Sequence, residues 1–168
     1  MSEESICILP RLQGVGGPTS FSKKMIAGLT ARGIRAHSDP FDPTTAAILV
    51  VAGTKRLDWL LAAKRRGVRI VQRLDGMNWV HRRRWTGLRH FLRSEVNNWI
   101  LSFIRSRLAD HIVYQSQFSR QWWQTRYGPT RASHEVVYNG ADLGAYAPEG
   151  PADLPDDHLR LLVVEGHL

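Results

Sequence analysis

The sequence contains a single cysteine and no long apolar run. An internal disulfide is therefore excluded, and the position of Cys7 within the apolar segment 6–9 favours a buried thiol over a nucleophile. No apolar run approaches the roughly 20 residues that a helix needs to span a bilayer. Residues 1–5 lack the basic and then apolar order of a signal peptide. These absences predict a cytoplasmic protein that can be peripheral at the inner face of the membrane.

The chain is poor in acidic residues relative to basic ones, with 15 Asp and Glu against 23 Lys and Arg and a formal net charge of +8. Such a charge favours anionic partners, whether nucleic acid, acidic lipid or phosphorylated small molecules. The 168 residues suffice for a domain with a hydrophobic core, and the apolar content of 43% is ordinary for a globular protein. Disorder is therefore not expected for most of the chain.

Several catalytic and cofactor motifs are missing. The sequence has no Gly-x-Ser-x-Gly elbow and no P-loop lysine. Its histidines are scattered without the paired spacing of a zinc site, so we predict no metal. The loop at Gly16 also lacks the third glycine of a dinucleotide-binding fingerprint, because Thr19 occupies that position. A nicotinamide-dependent oxidoreductase is thus a weak alternative.

Short apolar segments alternate with segments of helical periodicity along the chain. The predicted strands are Ser5–Leu9, 34–37, 46–51, 68–72, 111–115 and 135–138. The predicted helices run from near Pro18 to Gly33 and over 57–67, 88–108 and 117–127. Strands separated by helices pair in parallel through right-handed crossovers. The pattern therefore predicts an α/β fold, a doubly wound, mainly parallel sheet with helices on both faces.

The longest predicted helix carries apolar residues at intervals of three and four positions, which indicates an amphipathic helix. These residues are Leu88, Leu92, Val96, Trp99, Ile100, Phe103, Ile104 and Leu108. Much of the other face is occupied by Arg89, Arg93, Asn97 and Arg107.

The end of the chain differs in composition from the rest. Residues 144–157 are rich in Pro, Gly and Asp and are typical of a linker, and 159–164 is a new apolar strand-like run. We therefore expect an N-terminal domain over 1–145, a linker over 146–158 and, over 159–168, the first strand of a truncated second domain.

A glycine-rich loop connects the first predicted strand to the first predicted helix. Gly14, Gly16 and Gly17 would lie at the carboxyl end of the sheet, where backbone N–H groups and the helix dipole suit a phosphate or a sugar hydroxyl. A tight turn without a ligand is the alternative interpretation.

A polar cluster follows the predicted strand 68–72. Arg73, Asp75, Asn78 and His81 would emerge at the carboxyl edge, where open α/β sheets bind ligands. Asp75 and His81 are each able to orient or deprotonate a hydroxyl. The alternative is a capped loop in which Asp75 bonds backbone amides.

A basic and aromatic stretch follows at 81–85 and is extended by Arg89, His90 and Arg93. It has three interpretations. The first is a solvated start of a helix. The second is contact with anionic lipid headgroups, since Trp85 beside arginines suits a membrane interface. The third, nucleic-acid binding, is disfavoured because no nucleic-acid motif accompanies the stretch.

Five segments, in order and spacing, resemble one known family. Gly16-Gly17-Pro18 opens the first predicted helix and Leu29-x-x-Arg32-Gly33 closes it. The others are Ala109-Asp110-His111-Ile112-Val113-Tyr114-Gln115-Ser116-Gln117-Phe118-Ser119, Val137-Tyr138-Asn139-Gly140-Ala141-Asp142-Leu143 and Leu161-Leu162-Val163-Val164-Glu165-Gly166. Together they cover nearly the whole chain and resemble the N-terminal domain of glycosyltransferase family 4.

The resemblance implies one half of a GT-B fold, in which two Rossmann-like domains face each other across a cleft. The N-terminal domain of the family binds the acceptor, and the C-terminal domain binds the nucleotide-sugar donor, with retention of configuration and no metal. Gly16 and Gly17 would then lie beside the donor diphosphate, with Asn139 and Gly140 by the cleft. No cofactor is implied beyond the nucleotide sugar, which is a substrate.

The chain departs from the family pattern in two respects. Leu74 and Asp75 stand where many members carry a histidine, which leaves Asp75 and His81 as the catalytic candidates, with Arg73 and Asn78 on the acceptor side. The glutamates and basic residues that grip the donor belong to the second domain, so we expect no turnover by these 168 residues alone.

The main hypothesis is transfer of a sugar from a nucleotide-sugar donor to a glycan or lipid-linked acceptor. The rival is a non-catalytic basic module that docks on anionic membrane surfaces.

Overall fold

The computed structural model describes residues 4–11, 14, 16–141 and 143–144. The strands are β1 (Ser5–Leu9), β2 (Arg35–His37), β3 (Thr45–Val51), β4 (Arg69–Leu74), β5 (His111–Tyr114) and β6 (Ser133–Val136). The helices are α1 (Gly17–Thr30), α2 (Leu57–Arg65), α3 (Val80–Arg83), α4 (Leu88–Phe103) and α5 (Gln117–Tyr127), and a π-helical turn, Ile104–Leu108, continues α4. The predicted linker 146–158 and the predicted strand segment 159–168 lie outside the described residues.

The strands of the described chain form one six-stranded sheet in which every neighbouring pair is parallel. Their order is β2-β1-β3-β4-β5-β6. The chain moves outward from β1 through α1 to β2, and in the opposite direction from β3 to β6. The prediction of a doubly wound parallel α/β sheet, consistent with a Rossmann-like fold, is therefore confirmed. The direction of winding reverses between β1 and β3, and such a reversal leaves a crevice at the carboxyl edge.

One face of the sheet carries the hydrophobic core. Because strand side chains alternate between the two faces, the parallel register brings Cys7, Ile48 and Ile70 into one row. This row packs against Leu60 of α2 and the end of α4, and α5 covers the same face farther along through Trp123. All five side chains are almost fully buried.

The opposite face of the sheet is covered by α1. Phe21 of this helix contacts Arg73 of β4, whose neighbours in the strand point to the core face. Leu49 of β3 and Val113 of β5 point the same way as Arg73 and line a cavity beside α1. Helices therefore lie on both faces, as the alternation of elements predicts.

The last strand lies two residues earlier than the sequence predicts. β6 spans Ser133–Val136, whereas the apolar pattern placed it at 135–138. It is an edge strand with three exposed residues, so backbone pairing with β5 defines it and burial of apolar side chains does not. Residues 137–140 consequently form a loop at the carboxyl edge of the sheet.

The first three turns of α4 pack in the opposite sense to the one that the apolar periodicity implies. Ile100 and Phe103 at the end of the helix, and Ile104 after it, pack on the core as the periodicity predicts. The buried residues of α4 are Ser94, Asn98 and Leu101. Its exposed residues include Leu88, Leu92, Val96 and Trp99.

Close approach and hydrogen bonding explain this orientation. A Cβ added at Gly53, after β3, would lie only 2.7 Å from Leu101 Cδ2. Asn98 accepts a hydrogen bond from the backbone N–H of Asn78 at 2.9 Å and donates to its carbonyl oxygen at 2.8 Å. The inner face of α4 is therefore suited to holding the loop after β4, and its apolar stripe is left on the outside.

Candidate functional site

A cavity of about 770 Å³ opens at the carboxyl edge of the sheet. One wall is α1, which contributes Gly17, Pro18 and Phe21 from its first turns. The other wall is made by the sheet and by residues that follow β4, β5 and β6. Those that carry polar side chains are Arg73, Asp75, Gln115 and Asn139. Residues distant in the sequence thus converge where a doubly wound sheet binds ligands.

Arg73 is the centre of this polar cluster. It is only 6% exposed, and its guanidinium carbon lies 3.7 Å from the centroid of the Phe21 ring. Its Nη2 donates to Oδ1 of Asn139 at 2.6 Å. No carboxylate of the described residues forms an ion pair with it. Burial lowers the pKa of the guanidinium, with nearby Asp75 acting in the opposite direction.

Gln115 completes a triangle with Arg73 and Asn139. One end of its carboxamide lies 3.0 Å from Nδ2 of Asn139, and the other end lies 3.0 and 3.1 Å from the two Nη atoms of Arg73. Since a carboxamide has one oxygen, either orientation leaves two donors facing each other. Within this triangle the donors therefore outnumber the acceptors, and the adjacent Asp75 carboxyl group accepts a hydrogen bond from Gln115.

Asp75 is the acidic group of the cavity. Ser119 Oγ and Trp123 Nε1 donate to its backbone carbonyl at 2.8 and 2.7 Å, which anchors the residue on α5. Burial raises the pKa of its carboxyl group, while hydrogen bonds from its own backbone N–H and from Gln115 and the charge of Arg73 lower it. The carboxyl group is thus half-buried and retains an increased affinity for a proton.

A second cavity of about 480 Å³ adjoins the first at Asp75. Asn78 and Asn97 line it, so Asn78 lies at the carboxyl edge but outside the Arg73 cavity. The backbone here is constrained at Ala52, whose φ of 61° is rare for a residue with a side chain. Its N–H bonds the carbonyl of Arg73 at 2.8 Å, and its carbonyl accepts from Gln72 Nε2 at 2.9 Å, which holds the conformation.

The glycine loop contributes the open end of the larger cavity. Gly16 precedes α1 with a φ of 139°, a conformation that side-chain-bearing residues rarely adopt. Among the described atoms, none lies within 4 Å of a Cβ added at Gly16, Gly17 or Gly140. Gly17 and Gly140 line the cavity, and Gly16 is adjacent to it in the chain. The glycines thus leave space at the start of α1.

His81 is placed away from these cavities. It is 4% exposed, its Nε2 lies 2.6 Å from Oε1 of Glu95, and its ring meets Phe91 edge-on. Arg82 binds the same carboxylate with Nε and Nη2 at 2.6 and 2.7 Å. These contacts hold α3 on α4. Of the two catalytic candidates, only Asp75 lies on the cavity.

Several cavity residues are absent from the sequence-based candidates. Gln115 directly follows β5, so the reasoning that selects Arg73 and Asp75 after β4 also selects it. Phe21 and Lys24 lie on the cavity side of α1, and Arg32 lies in the turn that follows it. Helical spacing alone does not separate such ligand-facing residues from solvated ones. Tyr138 falls within the predicted strand 135–138, whereas the earlier end of β6 places it in the loop that lines the cavity.

No protein family, curated protein or solved structure matches the chain. Within the described residues, no group of three or more His, Cys, Asp or Glu side chains is placed to hold a metal ion. The polar cluster at the carboxyl edge consists of one buried guanidinium, two carboxamides and one carboxyl group.

Proposed function

We propose that this chain is the acceptor-side domain of a GT-B glycosyltransferase similar to family 4. The whole activity would be transfer of a sugar from a nucleotide-sugar donor to a glycan or lipid-linked acceptor. The observation that carries the proposal is the unpaired, buried Arg73 at the carboxyl edge, held by Phe21 and Asn139 and facing a cavity.

A phosphorylated ligand fits the charge of this cavity. A buried guanidinium without an ion pair favours an anion, because burial removes the water that would otherwise solvate its charge. Lys24 of α1 and Arg32, in the turn after α1, line the same cavity and add positive charge. Asp75 supplies a hydrogen-bond acceptor in the same cavity, and its carboxyl group can accept a hydrogen bond from a sugar hydroxyl. The combination suits a ligand that carries both phosphate and hydroxyl groups.

Asp75 would orient the acceptor hydroxyl. A carboxyl group whose pKa is raised by burial holds a proton more strongly than an exposed one, which suits a hydrogen-bond acceptor next to a reacting hydroxyl. The amide groups at the start of α1, beside Gly16 and Gly17, suit the phosphate oxygens of the donor. His81 has no part in this proposal, because Glu95 holds it outside the cavity.

The proposal is tested by measuring which classes of ligand the 168-residue chain binds. Calorimetry would compare a glycan diphosphate bearing a short isoprenoid, the same glycan without phosphate, and a nicotinamide dinucleotide. We expect weak binding of the phosphorylated glycan, weaker binding without phosphate and no sugar transfer by the chain alone. Arg73→Gln should lose the preference for phosphate, whereas the exposed control Arg65→Gln should keep it.

Two results would contradict the proposal. Binding of the nicotinamide dinucleotide with no response to any glycan would favour an oxidoreductase. If the Arg73→Gln variant binds the phosphorylated glycan as tightly as the unchanged chain does, the Arg73 cavity is not the binding site. Sugar transfer by the isolated chain would separately refute the expectation that the domain needs a donor-binding partner.

A further inference from the structure

The outer face of α4 is an apolar stripe without a cover among the described residues. Leu88, Leu92, Val96 and Trp99 recur at intervals of four, four and three positions, and each is more than half exposed. The buried side chains Ser94, Asn98 and Leu101 lie on the other side of the helix. The stripe therefore points away from the sheet.

The segment before α4 carries further exposed apolar residues. Trp79 and Val80 are about half exposed and Trp85 is 74% exposed. Trp99 stacks on Phe103 with 5.3 Å between ring centroids, which fixes its ring at the far end of the stripe. Exposed patches of this kind mark interaction sites, whereas single exposed apolar residues are normal on any surface.

Positive charge borders the stripe. Between Trp79 and Phe103 the sequence has five arginines and one acidic residue, Glu95. Arg82 and His81 both contact Glu95, and the pKa of that carboxyl is lowered to about 2, first by the hydrogen bond from Arg82 and then by that from His81. Among the described residues no ion pair forms at the other four arginines, which are Arg83, Arg84, Arg89 and Arg93.

We propose that this α3–α4 surface docks on an anionic lipid bilayer. The α3–α4 surface comprises Trp79, Val80, Trp85, Leu88, Leu92, Val96 and Trp99 with Arg83, Arg84, Arg89 and Arg93. A helix with an apolar stripe flanked by arginines lies in the plane of the interface, with tryptophan at headgroup depth and arginine on lipid phosphates. Peripheral docking suits the described helices, none of which is long and apolar enough to cross a bilayer.

Docking would place the carboxyl edge of the sheet close to the lipid. Asn97, Ile100 and Leu101 of α4 line the 480 Å³ cavity that ends at Asp75. In this arrangement α4 would contact lipid with its outer face, while its other side forms one wall of this cavity. Membrane docking does not rest on sugar transfer, and each can fail without the other.

The test is sedimentation of the chain with vesicles of phosphatidylcholine alone and with vesicles that also contain phosphatidylglycerol. We expect binding to the anionic vesicles that weakens as salt is raised. The variant Leu88→Gln/Leu92→Gln should lose affinity by about tenfold or more for each leucine. Arg89→Gln/Arg93→Gln should lose roughly fivefold for each charge.

Matched controls replace the same numbers of exposed apolar and basic residues outside the α3–α4 surface. Ile26→Gln/Phe118→Gln removes two exposed apolar residues from α1 and α5, and Arg65→Gln/Arg131→Gln removes two exposed charges. Both controls should bind like the unchanged chain. Circular dichroism would establish that every variant is folded, which is expected because all substituted residues are exposed. Quenching of tryptophan fluorescence by brominated lipid supplies a second reading that does not depend on sedimentation.

Three outcomes would overturn the proposal. One is equal binding to neutral and anionic vesicles, or none to either. Another is unchanged binding by the Leu88→Gln/Leu92→Gln variant, since the stripe would then not touch lipid. The last is a chain that self-associates through the stripe, becomes monomeric in that variant and does not bind vesicles, which would assign the surface to a second copy.

Discussion

The guanidinium of Arg73 lies 3.7 Å from the centre of the Phe21 ring and is held there by the side-chain oxygen of Asn139. This contact joins α1 to the end of β4 across the cavity. It also fixes a positive charge in a site from which water is largely removed. The position of α1 and the charge of the cavity therefore depend on the same pair of residues.

Replacing the ring should weaken both properties. Phe21→Leu keeps an apolar side chain but removes the aromatic face beneath Arg73. A desolvated cation–π contact contributes about 1–2 kcal/mol, so the free energy of unfolding should fall by an amount of this order. Urea denaturation measures the change. The control Phe118→Leu, at an exposed aromatic residue, should change stability by much less, and equal effects of the two substitutions would contradict the role of the contact.

The inner face of α4 should depend on Asn98. Asn98→Ala would leave the backbone N–H and carbonyl of Asn78 without the partners that now lie 2.9 and 2.8 Å away. Each of these part-buried hydrogen bonds contributes about 0.5–1.5 kcal/mol, and thermal or urea unfolding detects a loss of this size. Asn97→Ala is the matched control. Asn97 is adjacent to Asn98 in the chain and lines the 480 Å³ cavity, but the hydrogen bonds to Asn78 come from Asn98. A loss confined to the control would show that the loop is held by other contacts.

The stability of the α3–α4 packing should depend on pH through Glu95. Its folded pKa is about 2, below its ordinary value of 4.5, because Arg82 and His81 stabilise the charged carboxylate. A group whose pKa is lowered by folding contributes stability above its unfolded pKa and loses it as the pH falls toward the folded pKa. The contribution should therefore be complete above about pH 4.5 and decline toward pH 2.

Comparison with Glu95→Gln isolates this contribution. The variant should be less stable than the unchanged chain near neutral pH, and the difference should shrink as the pH falls through this window. Urea midpoints measured at several pH values give the comparison, with Glu135→Gln as a control at an exposed carboxylate. A stability difference that does not vary with pH would contradict the assignment.

The parallel sheet is predictable from the sequence because its signals are local. β3 is a nearly continuous apolar run, typical of a strand covered on both faces, and Gly33 and Gly67 end the preceding helices in the left-handed conformation. The convergence of Arg73 and Asp75 with Asn139 also follows, since the carboxyl ends of parallel strands share one edge. Periodicity and the alternation of strands with helices are sufficient for these features.

Other features depend on contacts between distant residues. The periodicity of α4 identifies its apolar stripe. It cannot show that Asn98 faces inward to form hydrogen bonds with the backbone of Asn78. The position of His81 depends on Glu95, fourteen residues later in the chain, which no local pattern links to it. The end of β6 depends on its register with β5, and a partly exposed edge strand carries little apolar signal.

The most direct test of the central proposal is the amide spectrum of the chain during titration with a short-chain isoprenoid glycan diphosphate. The account predicts shifts at Gly17, Gln115 and Asn139 that saturate together, and that Arg73→Gln abolishes. Resonances of α2, on the far face of the sheet, should not move. Saturable shifts confined to residues outside the cavity, or no response at all while the chain remains folded, would contradict the proposed acceptor site.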